Sequence, residues 1–197
     1  MDGAGGSGRR ETYHERRDRR AEIEDPEVVL NAAARYLEAR SRSAEEVRTY
    51  LTEKGYRAEL IASAIERLQR AHMLDDEVFA RSWIESRDRA QPRGEYVLRR
   101  ELAQKGIDRE TVDSLLLERR QAAIEAPFGE GADLEAAVRL LEKRRSALLR
   151  TADPRLRVQK AYALLARSGF DPEICRAVSQ QLAADGEAEE SPEEEGQ

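Results

Sequence analysis

Apolar residues recur three and four positions apart along most of the chain, separated by charged ones. Val28, Val29, Ala32, Ala33, Tyr36 and Leu37 form one stripe. Val47 and Leu51 form a second, and Leu60, Ile61, Ala64, Ile65 and Leu68 a third. The same spacing returns at Val78, Phe79, Trp83 and Ile84, at Leu98 and Leu102, and at Val112, Leu115 and Leu116. It returns again at Leu134, Ala137, Val138, Leu140, Leu141, Leu148 and Leu149, and at Ile174, Cys175, Val178 and Leu182. This is the period of a helix with one buried face. No alternating run bounded by turn residues suggests a strand, so the sequence predicts an all-α protein. Leading helices are expected from roughly Glu27 to Ala39, from near Asp75-Asp76 and from near Asp133.

Between the stripes a short phrase occurs three times: Leu51-Thr52-Glu53-Lys54-Gly55-Tyr56, Leu102-Ala103-Gln104-Lys105-Gly106-Ile107 and Leu165-Ala166-Arg167-Ser168-Gly169-Phe170. Its chemistry is that of a helix end. Glycine takes the left-handed conformation that closes a helix, and the next apolar residue folds back on the last turn. New helix starts follow, with Asp108 and Asp171 as N-caps and Pro172 where a missing N–H costs little. Ser43-Ala44-Glu45-Glu46 has the form of a capping box. The unit is helix, helix, glycine turn, helix, used three times. The glycines lie 51 and 63 residues apart, too uneven for a strict solenoid. The fold expected is an elongated array of three tandem three-helix repeats with disordered termini. The repeats are placed at 27–73, 74–122 and 133–184, with a linker at 123–132 around Pro127, Phe128 and Gly129. Modules of this size are near the lower limit for independent folding, so neighbours are expected to support one another.

Composition separates this body from its ends. Residues 1–26 begin Gly-rich and continue in mixed charge, with six Arg in residues 9–20 where transient helix is conceivable; residues 185–197 hold seven acids and no base. Both segments read as disordered tails. The formal charge of the chain is −6, yet residues 28–183 hold 28 bases and 25 acids, a net +3. Two stretches concentrate the positive charge. Arg87 to Lys105 has six bases against three acids, and Arg139 to Lys160 has eight against two. A cationic face of this kind attracts anionic partners and can follow phosphates, although charge runs also mark ordinary solvated surface. Arg outnumbers Lys thirty to four, which base composition alone could produce.

Signs of catalysis, metal binding or membrane insertion are missing. Gly3-x-Gly5-x-x-Gly8 matches a dinucleotide fingerprint in letters only, since no strand precedes it and Arg9-Arg10 follow. His14, His72 and Cys175 cannot form a usual zinc site. Asp75-Asp76-Glu77 suits the first turn of a helix better than a cation site. Phe79, Trp83 and Cys175 read as core residues. No apolar run is long enough to span a bilayer, and no signal core opens the chain, so a cytoplasmic, monomeric protein without cofactors is expected.

The run Leu74-Asp75-Asp76-Glu77-x-Phe79-Ala80, then Arg93-Gly94, then Glu101-Leu102-x-x-Lys105-Gly106-Ile107 resembles the central signature of RecX regulatory proteins. Tyr36-Leu37-x-x-Arg40-x-Arg42-Ser43 and Glu46-Val47-x-x-Tyr50-Leu51 fit the first module of that family, and Gly169-Phe170 the third. The resemblance spans about residues 28–183. It implies a non-enzymatic regulator built from three-helix repeats that binds the groove of the RecA filament on single-stranded DNA. It further implies suppression of strand exchange and ATP hydrolysis. The candidate contact residues are drawn from the cations of the two basic stretches: Arg87, Arg93, Arg99, Arg100, Lys105, Arg139, Lys143, Arg144, Arg150 and Arg157. Arg139, Lys143 and Arg150 fall near one helical face. Two other readings stay open on the residues alone, a direct single- or double-stranded DNA binder and a protein-only scaffold.

Overall fold

The computed structural model describes residues 12–125 and 131–190, and every regular element among them is a helix. In order these are α1 (Tyr13–Ala21), α2 (Pro26–Glu38), α3 (Ala44–Lys54), α4 (Ala58–Arg70) and α5 (Asp76–Ala90). They continue with α6 (Glu95–Gln104), α7 (Arg109–Glu125), α8 (Ala132–Leu149), α9 (Pro154–Arg167) and α10 (Pro172–Glu190). Helices α2 to α4, α5 to α7 and α8 to α10 are the three repeats. The chain divides into two compact units, Met1–Phe79 and Ala80–Gln197.

The repeated phrase is a helix stop in all three places. Gly55, Gly106 and Gly169 have φ of +96°, +77° and +86°. The next residue donates its N–H to the carbonyl five positions back: Tyr56 to Leu51 at 3.2 Å, Ile107 to Leu102 at 3.1 Å and Phe170 to Leu165 at 3.4 Å. This is the Schellman geometry, which satisfies carbonyls left over at a helix end. The leucine that opens each phrase is fully buried, so one short string both ends a helix and anchors a core. Helix α4 closes the same way without glycine. His72 has φ +53°, and Met73 N–H lies 2.9 Å from the Leu68 carbonyl.

Helix starts follow their local chemistry. Ser43 and Glu46 complete the capping box of α3, and Asp25 and Asp153 cap α2 and α9 with Pro in the first turn. In the first unit α2 packs on α3 and α4, around Val29, Ala33, Val47, Leu51, Ile61, Ile65 and Leu68. In the second unit α8 packs on α9 and α10, around Ala137, Leu140, Leu141, Leu148, Leu165, Phe170 and Val178. Each large apolar side chain taken from water contributes about 1.5–3 kcal/mol, enough to hold these helices although few could persist alone.

Several expectations change. Residues 13–21, expected within a tail, form α1; its N-terminus is closed by a Thr12–Glu15 capping box and its face packs on α3. Helix α10 runs to Glu190, past the expected end at 184, through a stretch rich in the helix formers Ala and Glu. Helix α7 extends into the expected linker as far as Glu125; residues 126–130 of that linker, residues 1–11 and the terminal 191–197 lie outside the described residues. Val28 and Val78, assigned to apolar stripes, are exposed, because each lies one position off the buried row of its helix. Phe79 is buried, but Trp83 is only half-buried and belongs to a polar cluster.

Candidate functional site

The second unit carries the cations singled out in the sequence, and the structure divides them by what they touch. On α5, Arg87 Nε donates to Glu101 Oε2 of α6 at 2.7 Å, and Trp83 Nε1 donates to the same oxygen at 2.8 Å. The Arg87 guanidinium lies 4.6 Å and the Lys105 ammonium 4.9 Å from the centre of the Trp83 ring. These cations are positioned by a carboxylate and an aromatic face, a favourable pairing for both. Arg93 reaches Ser168 Oγ at 3.3 Å. Arg99 bonds to Asp113 of α7 and lies 2.6 Å from Glu95, which also accepts from Arg120 at 3.1 Å. The Arg99 hydrogen bond holds the Asp113 carboxyl below its usual range.

On α8, Arg139 turns back to Glu135 one turn earlier at 3.4 Å. Lys143 Nζ donates to the carbonyls of Arg89 and, at 3.2 Å, Ala90, at the C-terminal end of α5. Arg157 is 2% exposed, and its Nε donates to the Thr151 carbonyl at 3.2 Å. Its place inside the third repeat removes it from any outer contact surface. Arg100, Arg144 and Arg150 are exposed, and their side chains make no ion pair or hydrogen bond among the described residues. The basic stretches thus contain two populations, cations committed to the fold and cations left to solvent.

A residue absent from the sequence expectations sits at the centre of this unit. Arg119 of α7 has a side chain only 9% exposed. It grips Asp88 of α5 through two bonds of 2.8 and 2.9 Å, and Asp133 of α8 through one of 2.6 Å. Burial opposes its charge, but the hydrogen bonds it donates to the two carboxylates raise its pKa above the ordinary arginine value. The signal was invisible in sequence because its partners lie 31 and 14 residues away. Backbone closeness joins the same two repeats: Gly94 N–H lies 3.0 Å from the Ser168 carbonyl, and a Cβ at Gly94 would collide with the Gly169 backbone. Glycine in the Arg93-Gly94 pair is therefore required by close approach rather than by φ, which is −70°.

Chemically, this surface can bind anions and orient carboxylates or phosphates through arginine. The described residues contain no group of three or more His, Cys, Asp or Glu side chains able to hold a metal ion. Among the described residues no helix is long and apolar enough to cross a membrane.

Comparison with known proteins places the chain. Residues 30–68 match the model of the RecX first three-helix domain, residues 75–116 that of the second and residues 132–178 that of the third. The regulatory protein RecX of Prosthecochloris aestuarii is 34% identical over 158 residues, covering 80% of this chain and 95% of that protein. The regulatory protein RecX of Mycolicibacterium smegmatis is 32% identical over 165 residues, covering 82% and 83%. In fold, the crystal structure of RecX from Lactobacillus salivarius superimposes with a TM-score of 0.64 at 23% identity, over 81% of this chain and 97% of that one. A second crystal structure of regulatory protein RecX gives 0.63 at 20% identity, over 79% and 71%. With all three repeats matched in order and the two relatives above covered to 95% and 83% of their lengths, the chain belongs to the RecX family of regulatory proteins.

Proposed function

We propose that this chain binds the filament that the RecA recombinase forms on single-stranded DNA, lying in its helical groove, and restrains strand exchange and ATP hydrolysis. It acts as a cytoplasmic, non-enzymatic monomer in DNA repair and recombination, and needs no cofactor. The observation that carries the reading is the set of exposed arginines without internal partners, Arg100, Arg144 and Arg150, on a repeat scaffold of the RecX family. Cations not needed by the fold are available to a polyanionic assembly, whose protein acids and DNA phosphates present charge at many points. Tandem repeats suit an extended partner because each repeat can contact a different part of it. A ligand that favours one filament state over another changes the filament's activity by that difference in affinity.

The test is co-sedimentation of the protein with RecA filaments assembled on single-stranded DNA, alongside an ATPase assay. Co-sedimentation and a dose-dependent fall in ATP hydrolysis are expected. Binding to bare DNA with indifference to the recombinase would instead support a nucleic-acid-binding repeat protein. Association without any dependence on DNA would support a scaffold.

A further inference from the structure

Helix α8 meets the second repeat with opposite charges at opposite helix ends. Its first turn places Asp133 Oδ2 3.0 Å from the Glu95 N–H, at the N-terminus of α6. Ten residues later Lys143 reaches the Arg89 and Ala90 carbonyls, at the C-terminus of α5. Helix N-termini carry unsatisfied donors and partial positive charge, and C-termini the reverse. An acid on the first and a base on the second are each matched to the dipole they face. Helix α6 lacks a cap of its own, because its N-cap is Gly94 and offers no side-chain acceptor.

Much of the rest of the joint is also polar, with the buried Val97 side chain of α6 lying against Gly169. Arg119 ties Asp133 to Asp88, so the acid that caps α6 is itself held in place. Buried apolar residues of the third repeat form their own cluster, within 136–178. Between α5, α7 and α8 lies an open cleft of about 460 Å³, lined by Ile84, Leu115, Ala122 and Ala132 among others. The two repeats are therefore joined by directional polar contacts, a Gly94–Gly169 backbone approach and the Val97 side chain on Gly169, beside an incompletely filled cleft.

The geometry points to Asp133 and Lys143 as positioning residues, a charge-matched clamp that sets the orientation of the third repeat on the second and so the placement of Arg144 and Arg150 relative to Arg100. The filament contact in this inference rests on the function proposed above; the clamp does not. Lys143 then serves the regulator by gripping its own chain rather than its partner.

The experiment uses the full chain with spin labels at Gln104→Cys and Ala147→Cys, both exposed sites, with the buried Cys175 left in place. Asp133→Ala and Lys143→Met are compared with the double variant Arg100→Glu/Arg144→Glu. Each clamp variant should broaden the distance distribution between labels and weaken filament binding, with helical content retained. The Arg100→Glu/Arg144→Glu variant should weaken binding with the distribution unchanged. Hydrogen exchange gives a second reading, since the Glu95 amide has no acceptor within its own helix. Its exchange should quicken roughly tenfold in Asp133→Ala, the factor for about 1.4 kcal/mol of lost capping. An unchanged distribution in both clamp variants overturns the clamp, and if Lys143→Met still loses binding it marks Lys143 as a direct contact. Wild-type protein that ignores filaments overturns the proposed function alone, because distances and exchange are read on the free chain.

Discussion

Three residues show how local chemistry decides stability. His72 occupies the position that glycine fills at the other three helix stops, with φ +53°. A side chain there costs about 1–2 kcal/mol, whereas glycine adds about 0.5–1 kcal/mol of unfolded-state entropy. His72→Gly should therefore stabilise the first unit by about 0.5–1 kcal/mol, read from the midpoint of urea unfolding. Gly94 gives the opposite case. Its φ suits any residue, but an added methyl would meet the Gly169 backbone, which cannot move aside as a flexible side chain could. Gly94→Ala should destabilise the second unit by about 1–3 kcal/mol through overpacking. Asp108 responds to pH. Hydrogen bonds from the Thr111 hydroxyl and then the Thr111 amide lower its pKa below the ordinary 3.8. The unfolded carboxyl then binds a proton at higher pH than the folded one. This contribution is complete above the unfolded pKa and disappears as pH falls through the folded value. An acid titration followed by circular dichroism should show a shallower loss of stability below pH 3.8 for Asp108→Ala than for the parent.

At the scale of elements, what was legible is what is local. The three glycine stops, the capping box at Ser43 and the starts of α2 and α5 are each written within a few residues, because the bonds they make span two to five positions. Helix α1 was legible only as transient helix within an expected tail. Six of its nine residues are charged, none is buried, and a nine-residue helix in water is marginal. It forms on contacts from far along the chain: Tyr13 hydroxyl to the Glu53 carbonyl at 2.9 Å, and Arg57 Nε to the Ala21 carbonyl at 2.8 Å. Gly55 also leaves room for it, since a Cβ there would stand 2.8 Å from the Arg17 carbonyl. Helix α1 should thus be lost by mutating its platform rather than itself. Arg57→Ala is expected to speed tryptic cleavage at Arg19 and Arg20 severalfold. The same change should lower the stability of the first unit by less than about 1 kcal/mol, the worth of exposed polar contacts. Equal cleavage rates would mean that α1 does not depend on Arg57.

For the whole molecule the decisive quantity is which charges remain after folding has used the others. Sequence counted the basic stretches correctly but could not sort them, because the partners lie at long range: Lys143 meets carbonyls 53 and 54 residues away, and Arg93 a hydroxyl 75 away. Cations paired with carboxylates inside the fold, as Arg87, Arg99 and Arg139 are, contribute little net field, since each brings its carboxylate with it. Arg100, Arg144 and Arg150 bring none. If they meet DNA phosphates, each should release about 0.7–0.9 counterions on binding, and log Kd should depend on log salt accordingly. The triple charge reversal Arg100→Glu/Arg144→Glu/Arg150→Glu is expected to weaken filament binding at least tenfold near 0.1 M salt, where charges within about 10 Å still interact. The loss should shrink as salt rises, and the salt slope should fall by roughly two to three. Fluorescence anisotropy of labelled filaments across a potassium chloride series measures both. A loss of affinity with an unchanged slope would take these arginines off the phosphates. Unchanged affinity at every salt concentration would remove them from the interface.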